Sequence, residues 1–103
     1  MTEGLTLCAL VWARPGQEER LIEYERQVLG LLPAHGARVL QRAVNVDREP
    51  TQPLEVQLME FPSGAAFDGY LNDPTRRVLV ELRNTLVERS SVFPVDLTDT
   101  MMG

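Results

Sequence analysis

Runs of alternating and periodic apolar residues divide the chain into extended and helical segments. The first extended segment is "GLTLCALVWA", residues 4–13, which is nearly all apolar and is followed by Arg14-Pro15-Gly16. A short apolar run bounded by turn residues is typical of a buried β-strand. Because successive side chains of a strand point to opposite faces, this strand is apolar on both faces, and both of them need cover.

From Gln17 onward the apolar residues recur every three or four positions, which predicts a helix with one buried face. That face carries Leu21, Tyr24, Val28 and either Leu31 or Leu32. Pro33 should end or kink the helix, because proline cannot donate the backbone hydrogen bond that continues it. Gly36 is suited to the left-handed position that often follows a helix.

Two further extended segments, residues 37–46 and 54–61, predict a second and a third strand. The linker between them, residues 47–53, is polar and contains prolines, as is typical of a solvated hairpin loop. In the third strand, alternation places on one face Leu54, Val56, Leu58 and Glu60. The opposite face carries Glu55, Gln57, Met59 and Phe61.

The rest of the chain predicts a short helix over residues 63–72, another from Pro74 to about Glu88, and a fourth strand over residues 90–95. Ser63 can cap the first of these helices, and Asp73 can cap the second, with Pro74 at its first position. The buried positions of the two helices are expected to be Phe67, Tyr70, Leu71, Val78, Leu79, Leu82 and Leu86.

The predicted order of elements is therefore β-α-β-β-α-β. Such an order packs as an α+β fold with helices on one face of a four-stranded antiparallel sheet, which is the ferredoxin-like arrangement. A length of 103 residues predicts a single domain, with a core over residues 4–97 and a tail over residues 98–103. Since helices can cover only one face of the first strand, we expect the other sheet face to pair with a second copy of the chain.

Charge and composition exclude several classes of partner. The formal net charge is -5 and the pI is near 4.8, which argues against binding to nucleic acid or to an anionic membrane surface. The apolar run over residues 5–13 is about half the length of a membrane span and follows Glu3 instead of a basic segment, so we expect neither a span nor a leader. Cys8 alone cannot form an internal disulfide, which favours a cytoplasmic protein.

The residue types also limit the chemistry. All 10 of the Lys+Arg residues are arginines, which excludes a Schiff base on lysine. One histidine and one cysteine cannot supply the usual nitrogen and sulfur ligands of a transition metal, so we expect no metal and no bound cofactor.

Several short stretches resemble a known family. These are Tyr24-Glu25, "HGARVL" at residues 35–40, and "EFPS" at residues 60–63 followed by "AFDGYLNDP" at residues 66–74. They resemble a widespread bacterial family of small domains of unknown function in the dimeric α+β-barrel superfamily, which also contains antibiotic-biosynthesis monooxygenases and muconolactone isomerases. The resemblance covers residues 5–96 and implies a homodimer whose two sheets face each other, with a possible pocket between sheet and helices. It implies no catalytic mechanism.

Two residues are candidates for a general base. Histidine is the side-chain type that titrates near neutrality, which makes His35 the first candidate. Its alternative role is that of a polar residue at the end of a helix. Glu60 shares a strand face with Val56 and Leu58, where burial would favour its neutral form. Its alternative role is that of a strand-end carboxylate that reaches solvent or an arginine.

Four residues are candidates for ligand binding. Arg42 could bind a ligand carboxylate or neutralise Glu60, and its alternative is an ion pair at the surface or an interface. A pocket for a flat apolar ligand could be lined by Trp12, Tyr24 and Tyr70. The alternative is that these aromatic side chains belong to the apolar core. The cavity is expected between the sheet and the first helix.

Two functions are compatible with these features. The first is a non-catalytic homodimer that binds a small, partly apolar ligand. The alternative is a cofactor-independent enzyme, monooxygenase-like or isomerase-like, that acts on a small aromatic or polyketide-like substrate. The fold cannot decide between them, because this arrangement hosts unrelated functions. The scarcity of titratable groups favours the first.

Overall fold

The computed structural model describes residues 4–98. In chain order its elements are β1 (Leu5–Ala13), α1 (Glu18–Leu29), a 3-10 helix (Leu32–His35), β2 (Arg38–Val44), β3 (Glu55–Phe61), α2 (Gly64–Leu71), α3 (Pro74–Arg77), α4 (Val80–Leu86) and β4 (Val87–Pro94). The strands form one antiparallel sheet in the order β2-β3-β1-β4, and the helices pack on one of its faces. The predicted ferredoxin-like arrangement is confirmed. Of the predicted tail, residues 99–103 lie outside the described part of the chain.

The predicted caps of the helices that follow β3 are present. The Oγ of Ser63 accepts a hydrogen bond from the backbone N–H of Ala66 at 3.1 Å, at the start of α2. The Oδ1 of Asp73 accepts one from the N–H of Thr75 at 2.8 Å, and Pro74 occupies the first turn of α3. Such caps satisfy N–H groups that have no partner within the helix. These side chains therefore help to fix where α2 and α3 begin.

The single helix predicted over residues 74–88 is wrong, because the chain forms α3 and α4, which are separated at Val78 and Leu79. Val78, expected to be buried, has 77% of its surface exposed. The chain is already in β4 at Val87, which pairs with Ala13 of β1. Burial and pairing of this β-branched residue in the sheet outweigh its helix propensity.

The layer between the sheet and the helices contains two apolar clusters. One cluster includes Phe61, and the other includes Leu21 and Leu86. Where the clusters meet, the sheet register pairs Ala9 of β1 with Gln57 of β3, and both residues are buried. A small residue and a polar residue thus occupy the middle of this layer.

No helix of residues 4–98 packs on the opposite face of the sheet, and we call this face the open face. On β1 and β3 it consists of Thr6, Cys8, Leu10, Trp12, Val56, Leu58 and Glu60. The described molecule is thin, with extents of 44 × 41 × 17 Å. An extended apolar patch on a small protein is typical of an interaction surface.

Candidate functional site

A cavity with a volume of ≈ 80 Å³ lies between the sheet and the helices, where the two apolar clusters meet. Its apolar lining consists of Ala9, Val11, Val28, Met59, Phe67, Leu71 and Val92. Its polar lining consists of Tyr24, Glu25, Gln57, Tyr70, Arg76, Arg83 and Ser90. Leu71, Ser90 and Val92 are exposed and mark its mouth. Apolar walls with a few polar groups are typical of ligand sites.

Tyr24 and Tyr70 form two walls of the cavity. Their exposed fractions are 3% and 4%, because Tyr24 is on the buried face of α1 and Tyr70 is at the end of α2. The hydroxyl of Tyr70 donates a hydrogen bond to the carbonyl oxygen of Val28 at 3.1 Å, which ties α2 to α1. Burial raises the pKa of both phenols above the ordinary 10.0, so both hydroxyls keep their protons near neutral pH.

Two arginines bring positive charge to the cavity. The Cζ of Arg76 lies 4.9 Å from the centre of the Tyr70 ring, which is a cation–π contact. The Nε of Arg76 is buried and has no hydrogen-bond partner among residues 4–98. Arg83 donates a hydrogen bond from Nη2 to the Oγ of Ser90 at 2.8 Å. Neither arginine forms an ion pair with a carboxylate of the described chain.

A polar cluster at one wall of the cavity consists of Glu25, Arg42, Glu55 and Gln57, of which Glu25 and Gln57 line the cavity. Glu55 is 0% exposed, and its two carboxylate oxygens accept hydrogen bonds from Arg42 at 2.7 and 2.9 Å. The amide of Gln57 donates to Glu55 at 2.9 Å and to Glu25 at 2.8 Å. A buried carboxylate is tolerated when it is paired and fully hydrogen-bonded. The cluster connects the cavity wall at Glu25 to β2.

Glu25 is a carboxyl group at the cavity wall. Burial raises its pKa above the ordinary 4.5, and the neighbouring Glu55 carboxylate acts in the same direction. The hydrogen bond from Gln57 and the more distant charges of Arg83 and Arg76 act against this shift. Glu25 therefore holds its proton to a higher pH than an exposed glutamate does.

Some of the predicted site residues lie near this cavity. Tyr24 and Tyr70 line it. Arg42 lies behind it, bonded to Glu55 of the polar cluster. Glu60, an expected partner of Arg42, is not its partner, because alternation in β3 puts Glu55 and Glu60 on opposite faces of the sheet. The role of these residues in ligand binding stays a prediction.

Trp12 and Glu60 lie on the open face of the sheet, away from the cavity. The Cζ of Arg89 is 3.8 Å from the centre of the Trp12 ring. Glu60 pairs with Arg38, with 2.9 Å between Oε1 and Nε. Both residues alternate with buried residues of β1 and β3, and this alternation directs their side chains away from the helices.

His35 ends the 3-10 helix and pairs with Asp73. Its Nε2 is 2.7 Å from the Oδ2 of Asp73, and the side chains are only 19% and 14% exposed. The hydrogen bond with His35 is the main cause that lowers the pKa of Asp73 below the ordinary 3.8. The imidazole packs 6.0 Å from the Tyr70 ring, centre to centre, but it does not line the cavity. The six predicted site residues are therefore not gathered in one place.

The sequence pattern did not single out Glu25, Gln57 and Arg76 as site residues. Glu25 follows Leu21 by four positions, so the helical period indicates a place on the buried face. Gln57 alternates onto the strand face that the helices cover. Arg76 has no comparable signal, because its position depends on how α3 packs beside α2.

A larger cavity of ≈ 240 Å³ lies between the turn after β1 and the β2–β3 loop. Arg48 lines this cavity and donates hydrogen bonds to the carboxylate of Glu19 and to the carbonyl oxygen of Asn45, each at 2.8 Å. The positive charge of Arg48 is therefore already neutralised. We therefore place the candidate site at the smaller cavity. Residues 4–98 contain no group of three or more histidine, cysteine or acidic side chains that could hold a metal ion, and no helix long and apolar enough to cross a bilayer.

No protein-family model matches the chain, and no curated protein matches it by sequence. Solved structures do resemble it. A dimeric protein of unknown function with a ferredoxin-like fold from Bacteroides fragilis has a TM-score of 0.70 at 12% identity, over 92% of this chain and 97% of the other. SnoaB, a cofactor-independent oxygenase from Streptomyces nogalater, has a TM-score of 0.70 at 11% identity, over 98% and 99% of the two chains.

A protein from Bacteroides thetaiotaomicron, provisionally described as an antibiotic biosynthesis monooxygenase, has a TM-score of 0.74 at 13% identity, over 98% and 95% of the two chains. This chain has the fold of these proteins. The resemblance to ferredoxin-like proteins of unknown function and to antibiotic-biosynthesis monooxygenases is confirmed as a likeness of fold. What each neighbour does is a property of that neighbour.

Proposed function

We propose that this protein is a homodimer that binds a small, partly apolar molecule in the cavity beside Tyr24 and Tyr70 and does not catalyse a reaction on it. The observation that carries the proposal is a cavity with apolar walls whose lining includes Arg76, the buried Nε of which has no hydrogen-bond partner within residues 4–98. A buried donor without a partner costs free energy, and a ligand that accepts its hydrogen bond recovers that loss.

The size of the cavity limits the ligand. Its volume of ≈ 80 Å³ is about half of the roughly 150 Å³ that accommodates benzene in an engineered protein cavity. We therefore expect a ligand with few non-hydrogen atoms inside the cavity. Any larger part would extend through the mouth beside Leu71 and Ser90.

The positions of the candidate bases support binding over catalysis. His35 is hydrogen-bonded to Asp73, Glu60 is ion-paired with Arg38, and neither His35 nor Glu60 lines the cavity. A general base must lie within hydrogen-bond reach of the proton that it removes. Glu25 does line the cavity, but its carboxyl group is bonded to Gln57 within the polar cluster. A cofactor-independent enzyme that used this cavity would need Glu25 as its general base, in place of His35 or Glu60.

The proposed homodimer forms through the open face of the sheet. The centre of this face carries Cys8, Leu10, Val56 and Leu58. A second copy that presents the same patch would cover it by two-fold symmetry, and burial of apolar surface contributes about 25 cal/mol per Å². The Bacteroides fragilis neighbour is described as dimeric, which supports a dimeric state but does not specify the interface.

A cavity-filling substitution tests the binding site. Ala9→Leu adds bulk to the cavity floor, whereas Ala65→Leu adds the same atoms to an exposed position of α2. We expect at least one member of a panel of small carboxylic acids, amides and alcohols to raise the Tm of the wild type and of Ala65→Leu, but not of Ala9→Leu. Circular dichroism checks that Ala9→Leu is folded, and Ser90→Leu at the mouth is a second blocking variant.

Two results would contradict the proposal. In the first, no compound of the panel shifts the Tm of the wild type. In the second, the shift persists unchanged in both Ala9→Leu and Ser90→Leu, which would place the bound compound outside this cavity.

A further inference from the structure

We infer, on the basis of the proposed function, that the ligand of this cavity is a small monocarboxylic acid whose carboxylate is bound by the guanidinium group of Arg76. The proposed function requires only that the cavity holds a small molecule. The chemical class of that molecule follows from Arg76 and from the charges that surround it.

Arg76 has no acidic partner among residues 4–98, whereas half of the arginines form an ion pair there. Carboxylates are abundant, with 15 Asp+Glu against 10 Lys+Arg. The arginines that do form ion pairs are Arg14, Arg26, Arg38, Arg42 and Arg48. Burial of a guanidinium N–H without an acceptor is unfavourable, and Arg76 has such a group at Nε. The missing acceptor is therefore expected from outside residues 4–98, and the cavity places a ligand beside Arg76.

The contact with Tyr70 favours a planar acceptor. The Arg76 guanidinium rests on the Tyr70 ring, with Cζ 4.9 Å from the ring centre. A guanidinium that packs on an aromatic ring uses its face for that contact and keeps its edge N–H groups for hydrogen bonds. Two parallel N–H groups on one edge match the two oxygens of a carboxylate. A single amide or hydroxyl oxygen satisfies only part of this edge.

The surrounding charges favour a negative ligand, and the small volume of the cavity favours a ligand with a single carboxylate. The cavity lining and the polar cluster at its wall contain three guanidinium groups, those of Arg42, Arg76 and Arg83, and two carboxyl groups, those of Glu25 and Glu55. The guanidinium groups outnumber the carboxyl groups, so the set keeps a net positive charge whether or not Glu25 is ionised. A carboxylate on the ligand reduces this charge, and a cavity volume of ≈ 80 Å³ leaves little space for a second charged group beside an alkyl chain. The apolar walls can then receive the alkyl part of the acid.

Isothermal titration calorimetry with butyrate and its neutral isostere butyramide tests this inference. We expect the wild type to bind butyrate at least about tenfold more tightly than butyramide, because hydrogen bonds to charged groups are the stronger ones. Arg76→Met keeps a long apolar side chain over Tyr70 but removes the donors, so the preference for butyrate should disappear. Arg77→Met removes the same charge from an exposed neighbour that does not line the cavity, so it should bind like the wild type.

The outcomes distinguish a failure of the carboxylate inference from a failure of the proposed function. Equal binding of butyrate and butyramide by the wild type would overturn the carboxylate inference and leave the proposed binding function intact. An equal loss in Arg76→Met and Arg77→Met would also overturn it, because surface charge would then explain the preference. If neither of these compounds nor any other compound of the panel binds, the proposed function fails as well.

A second substitution keeps the test valid if Arg76→Met folds poorly. Arg76→Lys retains the positive charge but lacks the planar pair of donors. We expect it to lose about tenfold in butyrate affinity. Unchanged affinity in this variant would overturn bidentate recognition by Arg76.

Discussion

Glu25 and Glu55 are both buried carboxyl groups on the helix-covered side of the sheet, but their surroundings differ. Glu55 accepts two hydrogen bonds from the guanidinium group of Arg42. Glu25 accepts one from the neutral amide of Gln57 and forms no ion pair within residues 4–98. A paired cation offsets the desolvation of Glu55, whereas no comparable contact offsets that of Glu25. The charged form of Glu25 is therefore disfavoured in the folded protein.

The substitution Glu25→Gln tests whether the charged form of Glu25 is disfavoured, because it changes how the free energy of unfolding depends on pH. The pKa of Glu25 in the folded protein is raised above 4.5, so the folded state binds this proton more tightly than the unfolded chain does. The corresponding stability is fully present below pH 4.5 and is lost as the pH rises through the raised pKa. Glutamine can still accept from Gln57 and does not ionise. We expect Glu25→Gln to be more stable than the wild type in mildly alkaline buffer and nearly equal to it at pH 4.5.

Denaturant unfolding at the two pH values measures this difference. Glu81→Gln, at an exposed position of α4, is the control and should change the stability little at either pH. A Glu25→Gln variant that is less stable than the wild type in mildly alkaline buffer would contradict the interpretation.

The sequence predicts which residues of β3 share a face, but not which face the helices cover. Alternation correctly separates Glu55 and Gln57 from Val56 and Leu58. The more apolar pair lies on the open face, and the polar pair is buried under the helices. Register and facing are set by the packing of the whole sheet, so the contact between Arg42 and Glu55 could not be predicted locally.

At the scale of elements, the cavity is covered by the three short helices of residues 64–86, which we call the roof. The buried residues of these helices are Tyr70 in α2 and Leu86 in α4. Polar contacts that hold the roof to the region around α1 include the bond from Tyr70 to Val28, the pair of Asp73 with His35, and the bond from the Nε of Arg14 to the carbonyl oxygen of Asn84. With so few buried apolar residues, the position of the roof depends strongly on these polar contacts.

Substitutions of Asp73 separate its two contacts. Its Oδ1 caps α3 at Thr75, and its Oδ2 binds His35. Asp73→Ser retains a capping oxygen but loses the histidine contact, and Asp73→Ala loses both. We expect the Tm at neutral pH to fall from wild type to Asp73→Ser and again to Asp73→Ala. Differential scanning calorimetry measures this order, and Asp68→Ala, at an exposed position of α2, is the control.

The Tm differences between the wild type, Asp73→Ser and Asp73→Ala should also depend on pH. The pKa of Asp73 is lowered in the folded state, so its contribution to stability is present above the ordinary pKa of 3.8 and is lost as the pH falls through the lowered value. The Tm differences should therefore shrink in strong acid. Equal Tm values for Asp73→Ser and the wild type at neutral pH would show that the contact with His35 contributes nothing.

The order of the elements is predictable from the sequence because it rests on local signals. Alternation marks the strands, and the caps at Ser63 and Asp73 mark two helix starts. The division between α3 and α4 is not predictable in this way. It depends on the pairing of Val87 with Ala13, which are far apart in the sequence. The cavity is not predictable from local signals either, because its lining residues come from elements across the whole fold.

At the scale of the whole molecule, Leu58→Arg tests the proposed homodimer. Leu58 lies at the centre of the open face, between Cys8 of β1 and Gln41 of β2. An unpaired charge buried there should raise the dimer dissociation constant by about a hundredfold or more, or about 3 kcal/mol. Val78→Arg is the control, because Val78 is 77% exposed and lies outside the sheet.

Size-exclusion chromatography with light scattering measures the result. At micromolar concentration the wild type and Val78→Arg should have twice the chain mass of 11.6 kDa, and Leu58→Arg should be monomeric or aggregated. A stable wild-type monomer under these conditions would contradict the homodimer.

Helix α3 has no buried residue, although its Arg76 lines the cavity. Substitutions at exposed positions usually change stability by no more than about 0.5 kcal/mol. Under the proposed function, mutations in α3 that leave the fold intact would alter which molecule is bound. Descendants of one ancestral chain would thus diverge in ligand preference while their sheet is inherited unchanged.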